Sequence, residues 1–122
     1  MTEAVLFTGH FADEQLAMIA RIATTWNAAG HAPQVRALSV NQADISGFPP
    51  DHAGLFETTL LQGIETDRVK TDLLGLGDDQ PDRFDPASSL WGIVGADPRQ
   101  PPPLSAHDLV ASMSDWLAAQ VG

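Results

Sequence analysis

Two side chains with chemistry to offer stand five residues apart in the stretch Asp51-His52-Ala53-Gly54-Leu55-Phe56-Glu57-Thr58-Thr59-Leu60. His52 carries an imidazole that gains or loses a proton near neutral pH, which suits a general acid or base. Glu57 carries a carboxylate whose default reading is a first-turn acid that serves the positive end of a helix. His10, which follows Thr8-Gly9, is the third candidate. An imidazole at the end of a strand is a rigid donor for a metal, and equally an ordinary polar residue finishing the strand. His52 has the same double reading, as a proton carrier or as a turn residue bonded to nearby backbone. His31 and His107 are expected to be solvated, and Asp78, Asp79, Asp82 and Asp85 to belong to a solvated loop. The chain contains no glycine-rich phosphate loop, no serine nucleophile elbow and no His-Glu-x-x-His zinc spacing. Taken one at a time, these groups do not define a function.

The elements that must position them can be read from periodicity. Ala4-Val5-Leu6-Phe7 is a short apolar run that feeds Thr8-Gly9-His10, as a buried strand feeds a turn. Asp13 and Glu14 open a helix with Leu16, Ile19, Ala23 and Trp26 at helical spacing, widened by Ala20 and Ile22. Gly30 stops that helix, His31-Ala32-Pro33 turns, and residues Val35 to Val40 read as a second strand. A strand-helix-strand unit implies two parallel strands with a right-handed crossover. Asn41 to Pro50 is then a loop beyond the C-terminal end of the second strand, the edge at which open parallel sheets build sites. The prolines Pro49-Pro50 precede the His52 turn, and Leu60, Leu61 and Ile64 give its helix an apolar face that should be buried. Beyond a polar turn at Glu65 to Lys70, residues Gly75 to Ser89 read as an irregular surface loop. Leu90 to Gly95 reads as a short strand, Pro101-Pro102-Pro103 as a spacer, and Ser105 as the cap of a last helix buried along Leu109, Met113, Trp116 and Leu117.

The chain has 122 residues, which bounds it to one domain, and 43% of them are hydrophobic against 18% charged, which argues against disorder. The formal net charge of -10 repels phosphate backbones and anionic membranes, so neither nucleic acid nor a membrane is an expected partner. There are no cysteines, hence no disulfides and no thiolate metal ligands. The first residues lack the basic-then-apolar pattern of a leader, so the expected location is cytoplasmic.

In combination the motifs point to one family. Asp51-His52-Ala53-Gly54-x-x-Glu57-Thr58-Thr59 resembles the His-Ala-Gly-x-x-Glu-Thr-Ser signature of the creatininase (creatinine amidohydrolase) family. Thr8-Gly9-His10 is similar to that family's Asn-Gly-His segment, Asp67-Arg68-Val69 to its Pro-Asp-Leu-Val, and Gly92 to Pro98 to its later Gly-Val-x-Gly-Asp-Pro, all in the same order. The resemblance covers most of this chain but only the C-terminal half of the family pattern; the family's Glu-x-His-Gly stretch has no counterpart here. It implies an α/β fold, a partial three-layer sandwich with a mostly parallel sheet, spanning residues 1–122 as a single incomplete domain. It implies His10 and Glu57 as metal ligands, His52 as acid or base, and a divalent metal (Zn, Mn or Fe). Thr8 replaces the family's Asn, Ala12 stands where some members have a ligating glutamate, and Ala96 lengthens the late glycine motif by one residue.

The activity implied is hydrolysis of an amide or cyclic amide C–N bond in a small molecule. No tryptophan precedes His52 at the place where creatinine-hydrolysing members have theirs, which leaves the amide unspecified. The missing half implies a homo-oligomer or a partner chain that supplies it. Two other readings stand beside this one: a degenerate, noncatalytic binding or structural subunit of the same family, and a small doubly wound ligand-binding domain.

Overall fold

The computed structural model describes residues 2–10, 12–45, 47–75 and 82–121. They form a mixture of helix and strand with one small parallel sheet. The chain divides into two compact units, Met1–Ala43 with Trp116–Gly122, and Asp44–Asp115.

The first unit is built on strand β1 (Glu3–Thr8), helix α1 (Asp13–Ala28) and strand β2 (Gln34–Ser39). The two strands are parallel and in register from Glu3 opposite Gln34 to Thr8 opposite Ser39, as the strand-helix-strand pattern requires. Acidic Asp13 and Glu14 sit in the first turn of α1, and Gly30 takes a φ of 74° just past its end. Asn27 ties the end of α1 to the start of β2. Its carboxamide nitrogen donates to the Val35 carbonyl at 2.7 Å, and its oxygen accepts from the Val35 N–H at 2.8 Å. Val40 leaves the expected strand for a 3-10 turn, Val40–Gln42, because Ser39 caps that turn and Gln42 folds back on the Ser39 N–H at 2.8 Å. Ala23, Leu38, Val40 and Ala43 are buried. The inner stripe of α1 is narrower than expected: Ile22 and Trp26 are exposed, and the Trp26 indole N–H donates to the Pro33 carbonyl at 2.9 Å. Trp116, near the end of the final helix, has its ring centroid 6.4 Å from that of Phe7.

The second unit contains helix α2 (Leu55–Ile64), 3-10 turns at Thr66–Arg68 and Thr71–Leu74, and most of helix α3 (Ala106–Gln120). Its buried side chains include Ile45, Phe48, Leu55, Phe56, Leu90, Ile93, Leu109 and Met113. Phe48 meets Phe56 edge-on at 5.1 Å. Full burial of a side chain such as Phe56 or Leu109 stabilises by about 1.5–3 kcal/mol. The exposed Arg68–Glu65 pair contributes at most about 1 kcal/mol, so the apolar residues decide the fold of this unit. α2 and α3 cross at Gly63, where an added methyl would lie 2.5 Å from the Ala106 carbonyl oxygen and 2.6 Å from Val110 Cγ2. Ser105 caps α3 by accepting the Asp108 N–H at 3.1 Å, as its position predicts.

Two sequence expectations fail in this unit. The buried face of α2 is Leu55, Phe56 and Thr59; Leu61 and Ile64 are exposed. Residues Leu90 to Gly95 are not a strand. Gly92 and Gly95 take φ values of 78° and 137°, and the Trp91 and Ile93 N–H groups close turns onto Ser88 and Leu90, so only Val94 pairs as a strand residue. In the loop expected over 75–89, residues 76–81 lie outside the described residues, Asp78 and Asp79 with them; residues 82–89 form successive turns. Phe11, between His10 and Ala12, also lies outside them. Among the described residues no helix is long and apolar enough to cross a membrane.

Candidate functional site

The turn that carries His52 is fixed by Asp51, which is buried at 7% exposure. Asp51 Oδ2 accepts the N–H of Phe56 at 2.9 Å and Oδ1 accepts that of Glu57 at 3.0 Å. Both donors belong to the first turn of α2, where backbone N–H groups lack helical partners and the dipole favours negative charge. The Leu55 N–H donates to the Ala96 carbonyl at 3.0 Å. The first-turn N–H groups of α2 are therefore taken by the protein itself, and the helix start offers no oxyanion or phosphate site of its own.

Glu57 closes the turn from the other side. Its Oε2 accepts the Ala53 N–H at 2.5 Å, so the third residue of the helix reaches back past the N-cap Gly54 to the residue before it. Ala53 has a φ of 53°, a left-handed conformation that few residues other than glycine adopt. His52, half-buried, pairs through its backbone with Val94: each N–H donates to the other's carbonyl at 2.9 Å. This single antiparallel bridge brings together two motifs widely separated in sequence.

The two glycines of those motifs have one cause. A Cβ on Gly54 would collide with the Asp51 carboxylate and stand 3.0 Å from the Ala96 oxygen. A Cβ on Gly95 would stand 2.5 Å from Asp51 Cβ and 2.8 Å from Oδ2. Both positions are glycine because a buried carboxylate occupies the space between them. Comparison of the chain with models of protein families, with curated proteins and with solved structures gives no match.

His52 and Glu57 are thus held on one turn, the imidazole at its shoulder and the carboxylate one helical step inside. His10 belongs to the first unit, just past the end of β1, where its N–H donates to Thr8 Oγ1 at 3.1 Å. His31 is exposed, its ring 4.5 Å from that of Trp26, and His107 is exposed on the first turn of α3. A catalytic metal takes about three protein ligands. Among the described residues no group of three or more His, Asp or Glu side chains is assembled to hold one. Among the described residues, a metal centre that used His10 or Glu57 would need donors beyond them.

Asp51, Gly54 and Gly95 carry more of this architecture than the sequence reading assigned them. The available signal was a carboxylate just ahead of a helix together with a glycine inside its turn. Asp97, within the late glycine motif, makes an ion pair that its sequence context does not announce. Its carboxylate binds the Arg99 guanidinium at 2.7 Å, and Arg99 Nη1 reaches the Gly75 carbonyl at 3.2 Å and Ser89 Oγ at 3.3 Å. The side-chain hydrogen bonds from Arg99 hold the Asp97 carboxyl below its ordinary range, against the opposing effect of burial. This pair anchors the segment that clasps the His52 turn.

Proposed function

We propose that this chain is the C-terminal half of a creatininase-like, metal-dependent amidohydrolase acting on an amide or cyclic amide C–N bond, completed by another polypeptide. In this reading the α/β fold is a partial three-layer sandwich. The observation that carries it is the capped turn: His52 and Glu57 occupy one rigid element, in the order of the family signature, with the late glycine motif laid against it. His52 would protonate the leaving nitrogen, a role worth about 100- to 10,000-fold in rate. Glu57, and in the first unit His10, would each offer a donor to a divalent metal (Zn, Mn or Fe) in the completed assembly, the remaining ligands coming from the completing chain. Glu57 Oε2 holds the Ala53 N–H, and a carboxylate has further lone pairs for a cation. The metal, when bound, would supply an activated water.

A second reading, a noncatalytic family subunit, is favoured by one specific observation: Glu57 already has a structural task in closing the turn. Metal analysis of the purified chain with an amidase assay, alone and together with a polypeptide carrying the Glu-x-His-Gly stretch, separates the two. Stoichiometric metal with turnover in the mixture is the expected result. A folded chain that takes up no metal under either condition sinks the hydrolase reading and leaves the noncatalytic one.

A further inference from the structure

The two-stranded sheet has one closed edge and one open edge. The Gln34 N–H donates to the Thr2 carbonyl. Alternation along a parallel ladder then turns Gln34, Arg36 and Leu38 toward β1, and Val35, Ala37 and Ser39 outward. Two of these three outward positions are occupied by side-chain amides. Asn27 takes both backbone groups of Val35, and Gln42 takes the N–H of Ser39. A further strand cannot pair along β2 without displacing them, a device by which sheets end.

β1 is different. The same alternation turns Ala4, Leu6 and Thr8 toward β2 and leaves the backbone groups of Glu3, Val5 and Phe7 facing outward, with no strand beyond them among the described residues. Leu6 and Phe7 are adjacent, so they point to opposite faces of the sheet, and they are 39% and 41% exposed. The run Ala4 to Phe7 is uncharged in a chain of net charge -10, and the one charge on β1, Glu3, has Arg36 Nε 3.0 Å away, although that N–H is not aimed at the carboxylate.

We infer that β1 pairs with β1 of a second copy of this chain across a two-fold axis, giving a continuous sheet in the order β2-β1-β1-β2. A two-fold axis makes the central pair antiparallel. Centred on Val5, the pairing sets Val5 opposite Val5 and Glu3 opposite Phe7, so that the outward-facing groups of one strand meet those of the other as hydrogen-bonded pairs. Ala4 then lies opposite Leu6 in the intervening pairs. Like charges are nowhere opposed along the strand. This contact goes beyond the hydrolase reading and does not depend on metal or turnover, so either can fail without the other.

The test is hydrogen exchange with light scattering on the intact chain at micromolar concentration. A dimer is expected, with the Val5 and Phe7 amides protected in it and exposed on dilution, while the Leu6 and Thr8 amides, bonded inside the pair of strands, stay protected throughout. Val5→Pro removes an outward donor without touching the β1–β2 ladder, and should give a monomer of unchanged circular dichroism. Phe7→Lys, which puts a charge on the edge, should also give a monomer, although it removes the Phe7–Trp116 contact as well. A monomer at every concentration, or a dimer whose Val5 and Phe7 amides exchange freely, overturns the inference. Protection of those amides only when a different polypeptide is added overturns it too, and gives the edge to that partner.

Discussion

Gly95 lies against the buried side chain of Asp51: a methyl in place of its hydrogen would stand 2.5 Å from Asp51 Cβ. The φ of 137° at Gly95 forbids a side chain independently of the space. Overpacking costs about 1–3 kcal/mol and a sparsely populated backbone conformation a similar amount. Gly95→Ala should therefore lose at least about 2 kcal/mol in chemical denaturation. A loss under about half a kcal/mol would mean that the clasp is looser than described.

Asp51 satisfies two helix-start N–H groups from a buried position. Asp51→Ala should cost roughly 2 kcal/mol, the upper end of the range for lost caps, because two donors are left uncovered. Asp51→Asn keeps one acceptor oxygen and should cost less. Equal losses for the two variants, read from urea midpoints, would show that packing volume and not the paired hydrogen bonds sets the effect.

Glu57 separates structure from chemistry. The carboxamide of Glu57→Gln can still accept the Ala53 N–H, so stability should change by no more than about 1 kcal/mol, the size of a charge–dipole term. Under the hydrolase reading, metal content and amidase activity of the completed assembly should nevertheless fall together. Retention of metal by Glu57→Gln at the wild-type level would remove Glu57 from the ligand set.

Asp97 gives a pH signature. Its folded-state pKa is depressed, chiefly by the Arg99 hydrogen bonds, so the unfolded chain binds the proton more readily and stability rises with pH across the titration. The contribution is complete above the ordinary aspartate value of about 4 and disappears as pH falls through the depressed folded value. Denaturation midpoints of the wild type and Asp97→Asn should differ at neutral pH and converge in acid. A gap that stays constant down to the acid limit would deny the pair this role.

The first unit was legible because its signals are local. The apolar run at Ala4 to Phe7, the helical recurrence of Leu16, Ile19 and Ala23, and the stop at Gly30 each act within a few residues, and the parallel pairing follows from them. Trp26 escaped because its indole is drawn to the Pro33 carbonyl beyond the helix end. The face that α2 buries was misread for a non-local reason: Asp51 and the Val94–Ala96 segment fix how the helix enters, and so turn Phe56 and Thr59 inward in place of Leu61 and Ile64. The apolar content of Leu90 to Gly95 was real, but Gly92 and Gly95 bend it into turns that no period-2 or helical pattern registers. His52 and Glu57 were found by type and spacing. Asp51 went without a role because what surrounds it, Gly95 above all, arrives from far along the chain.

The left-handed alanine at position 53 has a consequence for how this turn would answer a ligand. Ala53 is kept in a conformation that costs about 1–2 kcal/mol for a residue with a side chain, and its N–H is covered by the Glu57 carboxylate. A cation that drew Glu57 away would uncover that N–H and free the alanine to relax at the same moment. Occupancy of the carboxylate and the shape of the backbone beside His52 would then be two readings of one equilibrium.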